Sequence, residues 1–146
     1  MKKKEQDYSL YTAAAEAGVT AKQMEALITA QQGEEDAVYM YEQLAKAVKD
    51  DADREAFLRL AGDEKRHSDV FKKYTCMDIE ANPAKGTLVP LMYKALGKKR
   101  VYPIIAKGEY DAAEKYKAII DDFPEVVEVL NDEVHHGDAV LGLLEK

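Results

Sequence analysis

Carboxylate and imidazole side chains recur at helical spacing in two pairs of segments of this chain. Residues 63–69 and 132–138 both fit the pattern D-E-x-x-H-x-D, and residues 33–41 and 108–116 both fit G-E-x-D-A-x-x-x-Y. A Glu and a His three positions apart lie on one face of a helix, where both can reach the same metal ion. The repeat therefore predicts a metal site between two similar halves of one bundle.

Each repeated Glu and His also lies on the apolar stripe of a predicted helix, so its side chain should point into the core. Glu34, for example, is in phase with Leu27 and Tyr41. Four buried carboxylates without counter-charges would be very costly, whereas two divalent cations would neutralise them. The predicted metal ligands, which are also the predicted catalytic residues, are Glu34, Glu64, His67, Glu109, Glu133 and His136.

The first two of these helices are predicted to form a hairpin. One helix begins at an N-cap, Thr20, and runs to about residue 49. The sequence Asp-Asp-Ala-Asp at residues 50–53 favours a tight turn and a new N-cap, and the second helix then runs to about residue 74.

The other two helices are predicted to form a second hairpin. Pro103 suits the first turn of the third helix, which should end near residue 121. Asp122 is predicted to cap the fourth helix, which has Pro124 in its first turn and continues nearly to the C-terminus.

The Glu residues of each hairpin should be level with one another. Glu34 and Glu64 lie equally far from the first predicted turn, and Glu109 and Glu133 lie equally far from the second. Residues equidistant from the turn of an antiparallel hairpin face each other. Each pair of carboxylates is therefore predicted to meet across its hairpin.

The connection between the hairpins is long. Residues 75–100 contain two Pro and two Gly and are predicted as a crossover, with a short helix near residues 88–96. Two hairpins joined in this way predict an all-α, ferritin-like four-helix bundle. Residues 1–19 are predicted as an N-terminal lead-in and residues 20–146 as one ferritin-like domain that holds the predicted metal site.

The ligand types restrict the metal. Carboxylate with imidazole suits iron or manganese, and sometimes zinc, and the pattern offers no thiolate. One Glu from each of two helices, with Glu-x-x-His from each of the other two, is a pattern of di-iron and di-manganese bundles. A degenerate bundle that has lost its metal is the alternative. Two of only three His in the chain lie in the pattern, which disfavours that alternative.

These motifs resemble those of rubrerythrin-type ferritin-like proteins over roughly residues 20–146. They are also similar to the ferritin-like domains fused to some membrane iron and manganese transporters. The resemblance implies that Glu64 and Glu133 bridge two metal ions, with one His on each ion. His136 stands where many rubrerythrins carry a Glu. The resulting set of four Glu and two His is similar to that of demethoxyubiquinone hydroxylases and bacterial ferroxidases.

The same resemblance assigns supporting roles to four further residues. Asp132 is expected to hold His67, and Asp63 is expected to hold His136. Hydrogen bonds to the ligand carboxylates are expected from Tyr41 and Tyr116.

The resemblance implies a di-iron oxidoreductase that reduces H2O2 or O2. Its electrons would come from a separate donor protein, because no second redox centre is apparent in the sequence. The alternative is a ferroxidase or an iron-handling or iron-sensing protein, for which Fe(II) is the substrate. A non-catalytic bundle held together by its metals is a third reading. Related proteins often dimerise, so a homodimer is a further expectation.

Composition and charge argue against nucleic-acid binding and against a membrane protein. The net charge of −7 disfavours nucleic acid as a partner, and the cluster Lys98–Arg100 is interpreted as a solvated helix entry. The single Cys76 fits a reducing compartment. No signal peptide and no membrane-spanning stretch is recognised, so a soluble, cytoplasmic protein with no membrane partner is expected.

Some residues near the motifs are interpreted differently. Glu35 competes with Glu34 but is expected to be a solvated flank, as is Glu114. His135 faces away from the stripe and suggests a surface or interface position. Gly33 and Gly108 precede the two Glu residues and suggest a close helix approach or an access path to the metals.

Overall fold

The structure, a computed structural model, describes residues 2–145, with side chains described from residue 10 onward. Its secondary structure within that range is entirely helical, which confirms the all-α prediction. The helices are α1 (Lys2–Ala17), α2 (Ala21–Ala47), α3 (Asp51–Thr75), α4 (Ala84–Leu96), α5 (Lys98–Tyr116) and α6 (Val126–Gly142). None of these helices combines the length and the hydropathy that crossing a membrane requires.

The first hairpin, α2–α3, begins and turns where the sequence predicts. The Thr20 side chain accepts a hydrogen bond from the Gln23 backbone N–H, and the Gln23 side chain accepts one from the Thr20 backbone, which completes a capping box. Asp50 caps α3 by accepting from the Asp53 N–H at 3.0 Å. At the other end of α3, Cys76 adopts a left-handed conformation with φ 54°.

The crossover is fastened along α2. Three backbone groups along this segment pair with α2 side chains: the Met77 carbonyl with Gln31, the Glu80 carbonyl with Gln32, and the Asn82 N–H with Asp36. The helix that follows, α4, begins four residues earlier than predicted. A Cβ on its Gly86 would lie 2.1 Å from the ring of Tyr39, so glycine is what permits α4 to approach α2 this closely.

The prediction that Pro103 lies in the first turn of the third helix is wrong. Gly97, with φ 81°, ends α4 and accepts the first helical hydrogen bond of α5 from Val101. The helix α5 therefore starts at Lys98, and Pro103 lies within it. Glycine tolerates this positive φ, so two helices meet with one residue between them.

The prediction that Asp122 caps the fourth helix is also wrong. The helix α6 begins at Val126, and its N-cap residue, Glu125, makes no side-chain capping bond. Residues 117–125 instead form successive tight turns. These turns bring Ile119 and Phe123 into the core, where both are less than 10% exposed, and that burial outweighs a regular cap.

The apolar core is divided into two clusters. One contains Tyr41, Phe57 and Tyr102 and lies toward the turn between α2 and α3. The other contains Leu27, Phe71 and Phe123 and lies toward the turn between α5 and α6. A layer of buried polar side chains lies between them.

Candidate metal centre

Six acidic and imidazole side chains meet in this polar layer. The helices α2 and α5 each supply one Glu, and α3 and α6 each supply a Glu and a His one turn apart. All are 6% exposed or less: Glu34, Glu64, His67, Glu109, Glu133 and His136. Ligand-type atoms of the two Glu-x-x-His pairs, from α3 and α6, lie within 4.8 Å of one another.

The His67 ring lies between carboxylates on both of its edges. Its Nδ1 is 2.9 Å from Glu133 Oε1, 3.5 Å from Glu64 Oε2 and 3.6 Å from Glu34 Oε2. Its Nε2 is 2.9 Å from Asp132 Oδ2. Because an ionised carboxylate only accepts, Nε2 donates to Asp132, and Nδ1 is left facing the three Glu side chains.

The His136 ring repeats this arrangement in the other half. Its Nδ1 is 2.8 Å from Glu64 Oε1 and 3.5 Å from both Glu109 Oε2 and Glu133 Oε1, and its Nε2 is 3.0 Å from Asp63 Oδ2. The two imidazole rings stack with centroids 5.4 Å apart. Both predicted Asp–His hydrogen bonds are therefore present, and each one joins the two hairpins.

The two predicted tyrosines also cross between hairpins. Tyr41 of α2 donates to Glu109 of α5 at 2.5 Å, and Tyr116 of α5 donates to Glu34 of α2. Both hydroxyl groups are buried, and burial together with the neighbouring carboxylates raises the pKa of each well above its usual value. Each tyrosine therefore remains a hydrogen-bond donor and orients one carboxylate oxygen.

Burial and mutual charge shift the pKa values of the cluster. Burial, with the charge of Glu34, raises the pKa of Glu64 well above its usual value, and burial raises that of Glu133 to about 7. Burial alone would lower the pKa of His136, but the nearby carboxylates of Glu109, Glu133 and Glu64 outweigh it and raise that pKa to about 11. The carboxylates that face Nδ1 of His67 likewise raise the pKa of this His against the effect of burial. Without metal, protons therefore supply the charge that balances these carboxylates.

Several potential ligand atoms of the cluster lack a hydrogen-bond partner. Among the described residues, five buried atoms of the cluster have no hydrogen-bond partner: Glu34 Oε2, Glu64 Oε2, His67 Nδ1, Glu109 Oε2 and Glu133 Oε1. Unpaired buried polar atoms cost free energy, and they are rare in proteins. Carboxylate oxygens and imidazole nitrogens are ligands for iron, manganese and zinc, so divalent cations fit the donor set.

Comparison with known proteins bears on the first hairpin. Residues 25–82 match the rubrerythrin family. This segment covers most of α2, all of α3 and the start of the crossover, and it confirms the rubrerythrin-type prediction made from the motifs. The rubrerythrin match includes Glu34, Glu64 and His67. Comparisons with curated proteins and with solved structures gave no match. The family match and the buried cluster together indicate a metal-binding site.

Several interpretations of neighbouring residues need correction. Glu35 lies outside the cluster, as expected, but its side chain is only 15% exposed and accepts hydrogen bonds from Lys65 and Ser68 of α3. Gly33 and Gly108 are exposed, and a Cβ on either would meet no atom within 4 Å. The close helix approach predicted at these two glycines is therefore wrong.

Three other residues in or near the repeated motifs lie at the surface. Glu114 is exposed and pairs with Lys117. His135 is exposed in a groove between α3 and α6. Asp138, which recurs in the repeat without an evident role, accepts a hydrogen bond from Tyr110 across the α5–α6 hairpin.

Sequence reasoning missed the buried polar pair of Asp53 and Tyr102. Asp53 is 1% exposed and accepts a hydrogen bond from Tyr102 at 2.8 Å, with Lys98 Nζ 3.5 Å away. The sequence places Asp53 in a turn, where a solvated carboxylate is expected. No signal in the sequence identifies Tyr102, 49 residues away, as its partner.

Proposed function

We propose that this chain binds two iron ions in the Glu/His cluster and acts as a rubrerythrin-type oxidoreductase that reduces hydrogen peroxide or dioxygen. The observation that carries the proposal is the convergence of five unpaired buried ligand atoms in one polar layer. The rubrerythrin match over residues 25–82 supports iron as the metal. Bound iron would supply the electrons that reduce the oxidant.

The residues of the cluster would hold the metals as four carboxylates and two imidazoles. Glu34, Glu64 and His67 would come from the first hairpin, and their counterparts Glu109, Glu133 and His136 from the second. Four negative charges and two neutral imidazoles balance two divalent ions. This balance would replace the protons that the metal-free cluster retains.

The supporting residues would fix the geometry. Asp132 and Asp63 orient the two His rings by accepting from Nε2, so that Nδ1 of each ring faces the carboxylates. Tyr41 and Tyr116 each hold one carboxylate oxygen and leave the other oxygen unpaired. The apolar clusters above and below exclude water, which strengthens electrostatic interactions inside the layer.

Electrons for repeated turnover would come from a separate donor protein. Among the described residues, the only Cys is the exposed Cys76, so no thiolate pair for a second iron site is present.

The first test is the iron content after anaerobic loading with Fe(II) and desalting. About two irons per chain are expected for the wild type, as in di-iron bundles, and a sharp decrease is expected for Glu64→Gln. Glu35→Gln is the matched control, because Glu35 lies next to Glu34 in sequence but pairs with Lys65 and Ser68 outside the cluster. Less than about half an iron in the wild type would refute a di-iron site.

A second measurement separates the proposed activity from iron handling. The loaded protein is mixed with H2O2 or with O2, the oxidation of iron is followed by absorbance, and the protein is desalted again. Oxidation with the iron retained supports an oxidoreductase. Oxidation followed by loss of iron from the chain would favour the ferroxidase or iron-handling alternative.

A further inference from the structure

Charge is segregated along this acidic chain. The 28 residues from 81 to 108 contain six Lys or Arg and no Asp or Glu. Since this basic segment adds six positive charges to a chain whose net charge is −7, the remaining residues carry −13. The basic segment comprises α4, the junction at Gly97 and the first half of α5.

The outer face of α4 is apolar. Ala84, Leu88, Leu91 and Ala95 follow one another at steps of four, three and four residues, and all four are exposed. Leu88 and Leu91 are each 57% exposed. The opposite face carries Gly86 and Pro90, which are buried. The exposed leucines are therefore an outward ridge and do not belong to the core.

Basic side chains flank this ridge. Lys85 and Lys94 lie on α4, one on either side of the stripe, and both are exposed. At the start of α5, Lys99 and Arg100 are exposed, near the 51% exposed Ile104. Two other bases of the segment are engaged elsewhere, since Lys98 approaches Asp53 and Lys107 pairs with Asp111.

We propose that the basic segment is a docking surface for anionic lipid bilayers, with the leucine ridge of α4 inserted at the interface. A helix with aliphatic residues on one face and lysines beside them is typical of membrane-surface helices. Lysine stems cover the apolar boundary while their ammonium groups reach lipid phosphates. The acidic remainder of the chain would then face away from the membrane.

Other occupants fit less well. A second copy docked through the same face would bring two basic segments together, because a twofold interface pairs each patch with itself. Protein–protein interfaces are depleted in Lys and enriched in aromatic residues and Arg, whereas this face carries leucines and mainly lysines. The proposal revises the expectation of no membrane partner, which the sequence suggested because no signal peptide and no membrane-spanning stretch were recognised.

Co-sedimentation of the full chain with lipid vesicles tests the proposal. The vesicles contain equal parts of phosphatidylcholine and phosphatidylglycerol, and vesicles of phosphatidylcholine alone serve for comparison. Binding is expected to the anionic vesicles at low salt, to weaken as salt screens the charges, and to be much weaker to neutral vesicles. Binding to neither kind of vesicle overturns the proposal.

Substitutions inside and outside the basic segment test whether this segment is the surface that binds the vesicles. Lys94→Glu with Lys99→Glu and Arg100→Glu should reduce binding by at least about a hundredfold, since each basic residue contributes about fivefold. Leu88→Ser with Leu91→Ser should reduce it by at least about tenfold. Leu58→Ser, at a 51% exposed leucine of α3 outside the basic segment, is the matched control and should bind as the wild type does.

Circular dichroism of each variant verifies that the helices remain folded. Equal loss of binding in Leu58→Ser and in the α4 variants would overturn the assignment to this face. Sedimentation velocity without lipid tests whether the chain self-associates through the leucine ridge. A dimer that Leu88→Ser with Leu91→Ser dissociates would identify the ridge as a self-association surface and overturn the lipid proposal.

Discussion

Replacing Glu64 by Gln should leave the metal-free protein as stable as the wild type while removing its stabilisation by metal. Burial and the charge of Glu34 raise the pKa of Glu64 well above its usual value, which favours the neutral, protonated form of this side chain when no metal is bound. A Gln amide has the same shape and is also neutral. Its carbonyl can accept from His136 Nδ1 as Glu64 Oε1 does at 2.8 Å, and its amide can donate toward Glu34.

The expected magnitudes differ for the two states. In the metal-free state the free energy of unfolding should change by less than about 1 kcal/mol, because hydrogen bonds are retained and no cavity forms. In the wild type, metal at about a hundredfold excess over each dissociation constant should contribute about 5 kcal/mol from two sites. For a chain of this size that is a rise in Tm of about 10–20 °C. Glu64→Gln should lose most of this rise.

Thermal unfolding followed by circular dichroism, with and without Mn(II), measures both quantities and avoids oxidation of iron. Glu64→Ala provides a contrast. It leaves His136 without this partner and creates a cavity, so its metal-free form should lose about 2–4 kcal/mol. A full metal-induced rise in Tm for Glu64→Gln would refute the assignment of Glu64 as a ligand. A loss of more than about 3 kcal/mol in its metal-free form would refute the reasoning that Glu64 is neutral there.

Three further predictions concern the surroundings of the site and the fold. Asp132→Asn should weaken Mn(II) binding by about 10- to 100-fold in calorimetric titrations, because an uncharged amide oxygen accepts from His67 Nε2 less strongly than the carboxylate does; unchanged affinity would contradict that role. Mn(II) affinity should rise by about tenfold or more per unit between about pH 6 and 8, because Glu133, with a pKa of about 7, and His136, with a pKa of about 11, must release protons to bind metal. Since both pKa values are raised in the folded state, the same groups stabilise the metal-free protein at low pH and lose that contribution as pH rises, which denaturant titrations at several pH values would detect. Gly86→Ala should lower the free energy of unfolding by about 1–3 kcal/mol, because its Cβ would overlap the Tyr39 ring, whereas Gly33→Ala, with no atom within 4 Å of its Cβ, should raise it by about 0.5–1 kcal/mol; equal effects in the two variants would contradict this account.

The positions of the site residues could be predicted because their signal is local and repeated. Glu64 and His67 lie one turn apart on the stripe of Phe57 and Phe71, and all four are buried in the structure. Residues this costly to bury indicate a function when they lie on an apolar stripe, and the second copy in α6 makes coincidence a poor explanation. The caps at Thr20 and Asp50 were predictable for the same reason, since capping depends on residues three positions apart.

The features that sequence did not predict depend on contacts between distant residues. Pro103 is a good first-turn residue, but Gly97 starts α5 earlier because its positive φ lets α4 and α5 meet directly. Asp122 is a good cap, but the burial of Ile119 and Phe123 decides the path of the chain there. In both regions the packing of the core outweighed a local preference.

The cross-links between hairpins indicate that the site and the docking of the two halves are one structure. Tyr41 binds Glu109, Tyr116 binds Glu34, Asp132 binds His67 and Asp63 binds His136, so every one of these bonds joins residues of different hairpins. Neither hairpin alone could satisfy its own buried carboxylates and imidazoles. Since a half-satisfied buried network is costly, each hairpin can bury its Glu and His residues only when the other is docked against it. The repeat in the sequence is therefore reciprocal in the structure: each half supplies ligands and also the groups that orient the ligands of the other.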